Sequence, residues 1–300
     1  MSATPSDFTG NPWWLAIRPK TLPASISPIL VANAMAWSHE SFSWLVAFLT
    51  LGCALLLQIS VNLANDYFDH KSGVDTEDRL GPVRVTQAGL IPPRQVALVM
   101  AATLVSAIGF GAYLIWLGGW PIALLAAASV LGVLWYSGGP MPLASLGLGE
   151  VTVFLFFGWA AVLGTEFLQT GHTSFLGWIV ATQFGFLSAA IMLVNNLRDR
   201  HTDQQADKQT LVVRIGYPRA LRLYNGLLVA PLILQAYVFI ALSTGVAAVL
   251  PFLALPAVIQ LVKQMPNLEG DAYNQQLANT AKFMLIFALL MTLGLGFELL

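Results

Sequence analysis

Long runs of apolar residues, separated by short polar segments, recur along the whole chain. Each run approaches the roughly 20 residues that an α-helix needs to cross the hydrocarbon core of a bilayer. The runs predict nine membrane-spanning helices, over residues 22–38, 44–64, 95–117, 120–136, 149–168, 174–194, 222–243, 245–262 and 280–299. The short turns at residues 117–120 and 243–245 are where two predicted spans are hardest to separate.

The composition agrees with a membrane protein. Hydrophobic residues make up 57% of the chain and charged residues 10%, whereas a soluble domain carries about 25% charged residues. So few charges cannot cover a 300-residue globule, which excludes a soluble enzyme. We therefore expect an all-α polytopic membrane protein that forms a single integral membrane domain over residues 1–300, with residues 1–12 as a flexible N-terminal segment.

The basic residues fall on one side of the predicted membrane. The turns near Ser38, Gly118, Gly171 and Thr244 contain none. All 14 precede span one or follow spans two, six and eight: Arg18, Lys20, Lys71, Arg79, Arg84, Arg94, Arg198, Arg200, Lys208, Arg214, Arg219, Arg222, Lys263 and Lys282. Because cytoplasmic segments are enriched in Lys and Arg, this pattern predicts a cytoplasmic N-terminus and, with nine spans, an external C-terminus.

One polar motif occurs twice, at the ends of spans two and six. The copies are Asn65-Asp66-Tyr67-Phe68-Asp69 and, 130 residues later, Asn195-Asn196-Leu197-Arg198-Asp199. Each is followed by a charged loop that ends in a glycine and then Pro-Arg. The repetition predicts two pseudo-repeated bundles around a central cavity, with the two acidic loops facing each other.

The two loops are rich in oxygen ligands. Asn65 and Asp69 are four residues apart, as are Asp199 and Asp203, so each pair lies on one helix face. Mg²⁺ suits such ligands, because it takes one or two carboxylates and completes its shell with water and substrate phosphate. The loops could instead be ordinary solvated segments. Against that, amides and carboxylates at the buried ends of apolar spans are costly, and the pattern occurs twice. The lone Cys53 and the scattered histidines offer no zinc site.

At these residues the chain resembles the UbiA superfamily of intramembrane prenyltransferases. The signature of that superfamily is a pair of Asp-rich motifs after helices two and six of a nine-helix bundle, and the likeness covers essentially the whole chain. Within the superfamily the chain most resembles the MenA-type branch, the 1,4-dihydroxy-2-naphthoate polyprenyltransferases. The stretches that carry this narrower likeness are residues 18–23, 65–75, 78–87, 147–150, 156–158 and 195–216.

The resemblance implies that a polyprenyl group is transferred from polyprenyl diphosphate to 1,4-dihydroxy-2-naphthoate with loss of CO₂, giving demethylmenaquinone in menaquinone biosynthesis. It implies a site facing the cytoplasm, in a bacterial inner membrane. Mg²⁺ would be held by Asn65, Asp69, Asp199 and Asp203. The implied catalytic carboxylates are Asp66, Asp69, Asp199 and Asp203. Implied substrate-binding residues are Asn62, Lys71, Arg79, Arg84, Tyr136, Glu150, Asn195, Asn196, Arg198 and Lys208. Further candidates are Asp75 and Asp207 in the loops, and Phe154, Phe156, Phe157 and Trp159 along a prenyl tunnel.

Several alternatives remain open from the sequence. Within the superfamily the acceptor could be homogentisate, 4-hydroxybenzoate, a chlorophyll-type precursor or haem. The 4-hydroxybenzoate branch has basic residues just after helix four, and residues 137–145 contain none here. That argues against this branch and leaves the partner of the acceptor carboxylate unidentified. A secondary transporter also pairs repeats with midplane acids, but the acids here cluster at one membrane face, with Glu166 as the exception. A non-catalytic scaffold would not require the paired motifs.

Overall fold

The computed structural model describes residues 10–72, 80–139, 142–242 and 245–297, and within these ranges the chain forms helices and no β-strand. Helices suit a lipid environment because they satisfy their backbone hydrogen bonds internally. Phe154–Ala160, between α5 and α6, forms a π-helix. The α-helices are α1 (Pro12–Ile17), α2 (Pro23–Ser38), α3 (Trp44–Ser72), α4 (Pro93–Ser137), α5 (Gly149–Val153), α6 (Ala161–Thr170), α7 (Phe175–Gln205), α8 (Leu211–Ile215), α9 (Tyr217–Leu242), α10 (Gly245–Val249), α11 (Leu255–Gln264) and α12 (Ala272–Phe297).

The predicted count of nine spans is not confirmed. Within the described ranges, six helical stretches are long and apolar enough to cross a membrane: Trp44–Lys71, Pro93–Ser137, Gly149–Thr170, Phe175–Gln205, Tyr217–Ala241 and Ala272–Phe297. Three predicted spans account for the difference. The helix α2 has 16 residues, and α4 runs through two predicted spans. The predicted span 245–262 is divided among α10, a 3₁₀ turn and α11. The turn and α11 each carry a proline in their first turn, which lacks the N–H that would continue the preceding helix.

The long helix α4 is broken at one residue. Gly119 has φ 68° and ψ −154°, a conformation that glycine adopts readily and other residues rarely do. A straight helix of 45 residues would measure about 68 Å, more than twice the roughly 30 Å thickness of a hydrocarbon core. Positions on both sides of the break, such as Ala107 and Val133, line one cavity. Both parts of α4 therefore border the same cavity, and the break falls in the predicted turn at residues 117–120.

The helix α7 lies at the centre of the main hydrophobic core. It is the most buried of the long apolar helices, and Phe184 and Leu187 are fully enclosed. It contacts α2, α9, α12 and the π-helix. A Cβ atom on Gly158 of the π-helix would lie 2.6 Å from the Cα atom of Gly185. The absence of side chains at both positions therefore lets the two backbones meet, as small residues do between membrane helices.

Candidate active site

A cavity of about 1380 Å³ is lined by residues of α2, α3, α4, the π-helix, α6 and α7. It follows α3 from Thr50 to Asp69, a distance of about 28 Å at the helical rise of 1.5 Å per residue. This depth approaches the thickness of the hydrocarbon core. Polar and charged residues line one end of the cavity, which we call the mouth. Apolar residues line most of the remainder.

The two predicted motifs meet at this mouth. Most of the residues that the sequence singles out for the site line the cavity: Asn62, Asn65, Asp69, Lys71, Arg84, Tyr136, Asn195, Asn196, Asp199, Asp203, Asp207 and Lys208. Asp66, Glu150 and Arg198 do not line it, although each contacts a residue or segment that does. Arg79 and Asp75 lie outside the described residues.

The first motif presents two oxygen-bearing side chains to the mouth. The Asp69 carboxylate accepts a hydrogen bond from Arg84 Nη2 at 2.5 Å, and both side chains are largely buried. Asn65 Oδ1 accepts a hydrogen bond from the Ser137 hydroxyl at 2.5 Å. Both side chains project from the last turns of α3, four residues apart, so they share the helix face that lines the cavity.

Asp66 faces away from the cavity, contrary to its expected place among the catalytic carboxylates. It is 1% exposed, and its two carboxylate oxygens accept the backbone N–H groups of Val85 and Thr86, each at 3.0 Å. The Thr86 hydroxyl also donates to Asp66. Since Arg84 immediately precedes this anchored turn, Asp66 holds in place the segment that carries the partner of Asp69.

The Asn62 amide also serves an anchoring contact. It donates to the carbonyl oxygen of Ile17 at 2.8 Å and to the Thr21 hydroxyl at 3.2 Å. These bonds fix the turn after α1, where Arg18 has a φ of 56° and lines the mouth. Asn62 thereby connects α3 with the turn that places Arg18, a further cation, at the cavity.

The second motif is organised by a buried arginine. Arg198 is 3% exposed, and its Nε and Nη2 atoms donate to the two carboxylate oxygens of Asp199 at 2.7 and 2.6 Å. Arg198 Nη2 also donates to Asn195 Oδ1 at 2.8 Å. A bidentate arginine fixes both the position and the plane of a carboxylate. Each half of the molecule thus pairs the last aspartate of its motif with a buried arginine.

Glu150 lies behind the mouth, next to two residues that line it. Its Oε1 atom accepts a hydrogen bond from Asn196 Nδ2 at 2.8 Å, while its buried Oε2 atom has no hydrogen-bond partner among the described residues. A Cβ atom on the adjacent Gly149 would lie 3.3 Å from the Tyr136 hydroxyl. The Tyr136 hydroxyl donates to the Met192 sulfur at 3.2 Å, and a thioether is a weak acceptor. Good hydrogen-bonding capacity therefore remains here for a ligand.

The expected aromatic tunnel divides into two pairs. Phe156 and Phe157 line the cavity. Phe154 and Trp159 do not: their rings pack against each other, with centroids 5.5 Å apart, and Trp159 also packs against Trp178. All four aromatic residues lie within the π-helix, a form that is rare and is often found at functional sites.

The oxygen donors at the mouth fit a magnesium ion that binds together with a phosphate-bearing substrate. Among the described residues, no three His, Cys, Asp or Glu side chains are close enough to hold a metal by themselves. Asn65 and Asp69 on one side, and Asp199 and Asp203 on the other, supply only oxygen atoms. Mg²⁺ commonly takes one or two protein carboxylates and fills its remaining positions with water and phosphate oxygens. Thiolate or imidazole metal sites are not suggested by this set.

Sequence reasoning missed three residues at the mouth or directly behind it. Arg18 belongs to the stretch at residues 18–23 that carries the family likeness, so a signal for it was present. Ser137 had no signal beyond its place at the end of a predicted span. Asn274 bonds to Arg198, and because it lies 76 residues from that partner in an ordinary polar stretch, no local pattern reveals it.

The fold and the site define a class of protein: an all-helical, multi-pass membrane protein with an apolar cavity that opens between two acidic motifs. Residues 25–289 match the family model described as the UbiA prenyltransferase family. The chain belongs to that family, which confirms the resemblance drawn from its motifs.

Relatives and solved structures agree with this assignment. The chain is 35% identical over 291 residues to the 1,4-dihydroxy-2-naphthoate octaprenyltransferase of Escherichia coli (strain K12), covering 94% of each protein. It is 42% identical to the enzyme of the same name from Mycobacterium tuberculosis, covering 72% of this chain and 74% of that one. A UbiA homologue from Aeropyrum pernix K1 has the same fold, with a TM-score of 0.69 at 17% identity, over 92% of this chain and 98% of that one. A UbiA homologue from Archaeoglobus fulgidus, solved with GPP and Mg²⁺ bound, gives a TM-score of 0.62 at 16% identity, over 94% and 99% of the two chains.

Proposed function

We propose that this protein transfers a polyprenyl group from polyprenyl diphosphate to 1,4-dihydroxy-2-naphthoate, with loss of CO₂, in menaquinone biosynthesis. The observation that carries the proposal is that one cavity joins both Asp motifs at its mouth to an apolar channel about 28 Å deep. A diphosphate head and a long isoprenoid tail require that combination. The names of the relatives from Escherichia coli and Mycobacterium tuberculosis support the choice of acceptor.

We assign the diphosphate to the mouth. Asn65, Asp69, Asp199 and Asp203 would hold Mg²⁺ there, and the bound metal would neutralise charge on the diphosphate as it leaves. Arg84 and Arg198 pair with two of these aspartates and hold their carboxylates in a fixed orientation. Lys71 and Lys208 line the same mouth and supply further positive charge for the phosphates.

The apolar channel would receive the prenyl tail and keep water away from the reacting carbon. Ionisation of the allylic C–O bond leaves a carbocation that water would quench, so a dry wall is required. The rings of Phe156 and Phe157 lie on that wall and can stabilise a cation through their faces. The tail itself would be stabilised by burial of its apolar surface.

We place the aromatic acceptor beside Tyr136, Asn196 and Glu150. Tyr136 and Asn196 line the cavity and supply hydrogen-bonding groups for the ring hydroxyls, and Glu150 holds the Asn196 amide from behind. The ring carbon that bears the carboxylate would bond to the prenyl carbon, and the electron pair of the departing CO₂ would restore the aromatic ring. The carboxylate leaves in this reaction, so the site needs to orient it rather than bind it tightly.

We place the protein in a bacterial inner membrane as a single integral membrane domain, with the mouth facing the cytoplasm. All 14 basic residues lie on the predicted cytoplasmic side, as do both motifs. A site at that face can draw a water-soluble acceptor from the cytoplasm and a lipid tail from the bilayer.

The transporter alternative depends on Glu166, the acidic residue near the opposite face. Its Oε1 atom accepts hydrogen bonds from the backbone N–H of Ser174 at 3.2 Å and from the Ser174 hydroxyl at 2.6 Å. A carboxylate at the start of a helix stabilises that helix through its dipole. Glu166 is therefore explained as a group that stabilises the first turn of α7, and it offers no support for an ion pathway.

The test is a membrane assay with Mg²⁺ and polyprenyl diphosphate, offered separately with 1,4-dihydroxy-2-naphthoate, homogentisate and 4-hydroxybenzoate. The acceptor carries ¹⁴C in its carboxylate where it has one on the ring. We expect prenylated product and release of labelled CO₂ with dihydroxynaphthoate alone. Prenylation of another acceptor, with none of dihydroxynaphthoate, would overturn the assignment of the acceptor.

A further inference from the structure

Asn274, in the first turn of α12, uses both ends of its side-chain amide in long-range contacts. Its Oδ1 atom accepts a hydrogen bond from Arg198 Nη1 at 2.9 Å. Its Nδ2 atom donates to the carbonyl oxygen of Leu80 at 2.8 Å. The first partner belongs to the second acidic motif, and the second belongs to the loop that follows the first motif.

The two contacts complete a polar connection between the halves of the mouth. On one side, Leu80 lies four residues before Arg84, whose guanidinium binds Asp69. On the other side, Arg198 holds Asp199 through two hydrogen bonds. Asn274 hydrogen-bonds to both sides of the mouth. A side chain on a third helix thus connects the two aspartates proposed to share one diphosphate.

The chemistry of both contacts requires an amide. Arg198 is a cation, so its partner must accept a hydrogen bond, whereas the Leu80 carbonyl needs a donor. Asparagine supplies one of each at a fixed separation. Aspartate would accept from Arg198 at least as well but would set a carboxylate oxygen against the Leu80 carbonyl. Alanine would serve neither partner.

We propose that Asn274 is a positioning residue that sets the spacing between the two acidic loops and thereby the affinity for the metal-bound diphosphate. This inference rests on the proposed function for the nature of the ligand, but not for the identity of the acceptor. Asn274 does not line the cavity, so it acts through Arg198 and through the loop at Leu80.

The experiment measures the binding of geranyl diphosphate with Mg²⁺ by calorimetry in detergent, and separately the KM and kcat of prenyl transfer. The variants are N274A, N274D and the control Q275A. Gln275 is the adjacent exposed residue, and its amide donates to Asn279 on the same helix. Thermal unfolding of each variant checks that it is folded.

We expect N274A and N274D to weaken geranyl diphosphate binding about tenfold, because one hydrogen bond to a charged group or one unpaired polar group is worth about that factor. The KM for the prenyl diphosphate should rise to match, with kcat within about twofold, and Q275A should behave as the wild type. Wild-type affinity in N274D would show that only the contact with Arg198 matters and would overturn the proposal, as would wild-type affinity in N274A. A fall in kcat at unchanged affinity would also overturn it. A wild-type protein that binds geranyl diphosphate but does not prenylate dihydroxynaphthoate would contradict the proposed acceptor alone.

Discussion

Replacing Asp66 by asparagine should destabilise the protein more than it alters the response to magnesium. The Asp66 carboxylate accepts two backbone N–H groups and one hydroxyl while almost fully buried. The amide of D66N has one oxygen, and its NH₂ group would face an N–H donor. At least one charge-assisted hydrogen bond is lost and one buried donor is left unsatisfied, a combined cost of about 3 kcal/mol.

A matched variant grades this effect. T86V keeps the Asp66 carboxylate and both backbone contacts but removes the hydroxyl that donates to it, at a cost of about 1 kcal/mol. We expect the midpoint of thermal unfolding in detergent to fall in the order wild type, T86V, D66N. Each kcal/mol should lower it by about 2–4 °C.

The result that would refute the reasoning is equally specific. A metal ligand can be lost without loss of stability, and excess metal then partly restores activity. If D66N unfolds at the wild-type temperature and regains activity as Mg²⁺ is raised, Asp66 is a metal ligand, and its assignment to the turn at Val85 is wrong.

Three further substitutions test other parts of the site. E150Q keeps an acceptor for Asn196 but removes the charge. It should raise the KM for dihydroxynaphthoate about tenfold, while the KM for prenyl diphosphate stays within about twofold. Equal changes in the two KM values would contradict the acceptor position. G164L fills the cavity beside Leu125 and should shift the substrate preference toward shorter prenyl diphosphates. The preference is measured as the relative kcat/KM for geranyl diphosphate and longer substrates. An unchanged preference would mean that the prenyl tail does not reach this depth. G158V forces a side chain into the backbone of α7 and should leave little folded protein in size-exclusion chromatography, whereas a wild-type profile would show that the close packing is dispensable.

The features that could be predicted from the sequence depend on residues that are close together along the chain. The apolar runs locate the long helices because lipid demands continuous apolar surface. The two motifs locate the mouth because four-residue spacing places Asn65 and Asp69 on one helix face. The predicted count of nine spans is not confirmed, since α2 is short and prolines divide the segment between α10 and α11.

The features that sequence reasoning missed depend on contacts between distant segments. Nothing in the first motif distinguishes Asp69, which lines the cavity, from Asp66, which faces the turn at Val85. Their directions follow from the helical period only once the position of the cavity is known. Asn274 is the extreme case, because its importance lies in partners 76 and 194 residues away.

The most direct test of the central claim is prenyl transfer by D69A and D199A, each compared with the wild type in the same membranes with Mg²⁺, geranyl diphosphate and dihydroxynaphthoate. The two aspartates lie on opposite halves of one mouth, and we propose that they serve one diphosphate. The account predicts that each substitution alone abolishes product formation and that EDTA does the same to the wild type. Full activity in either variant would contradict it.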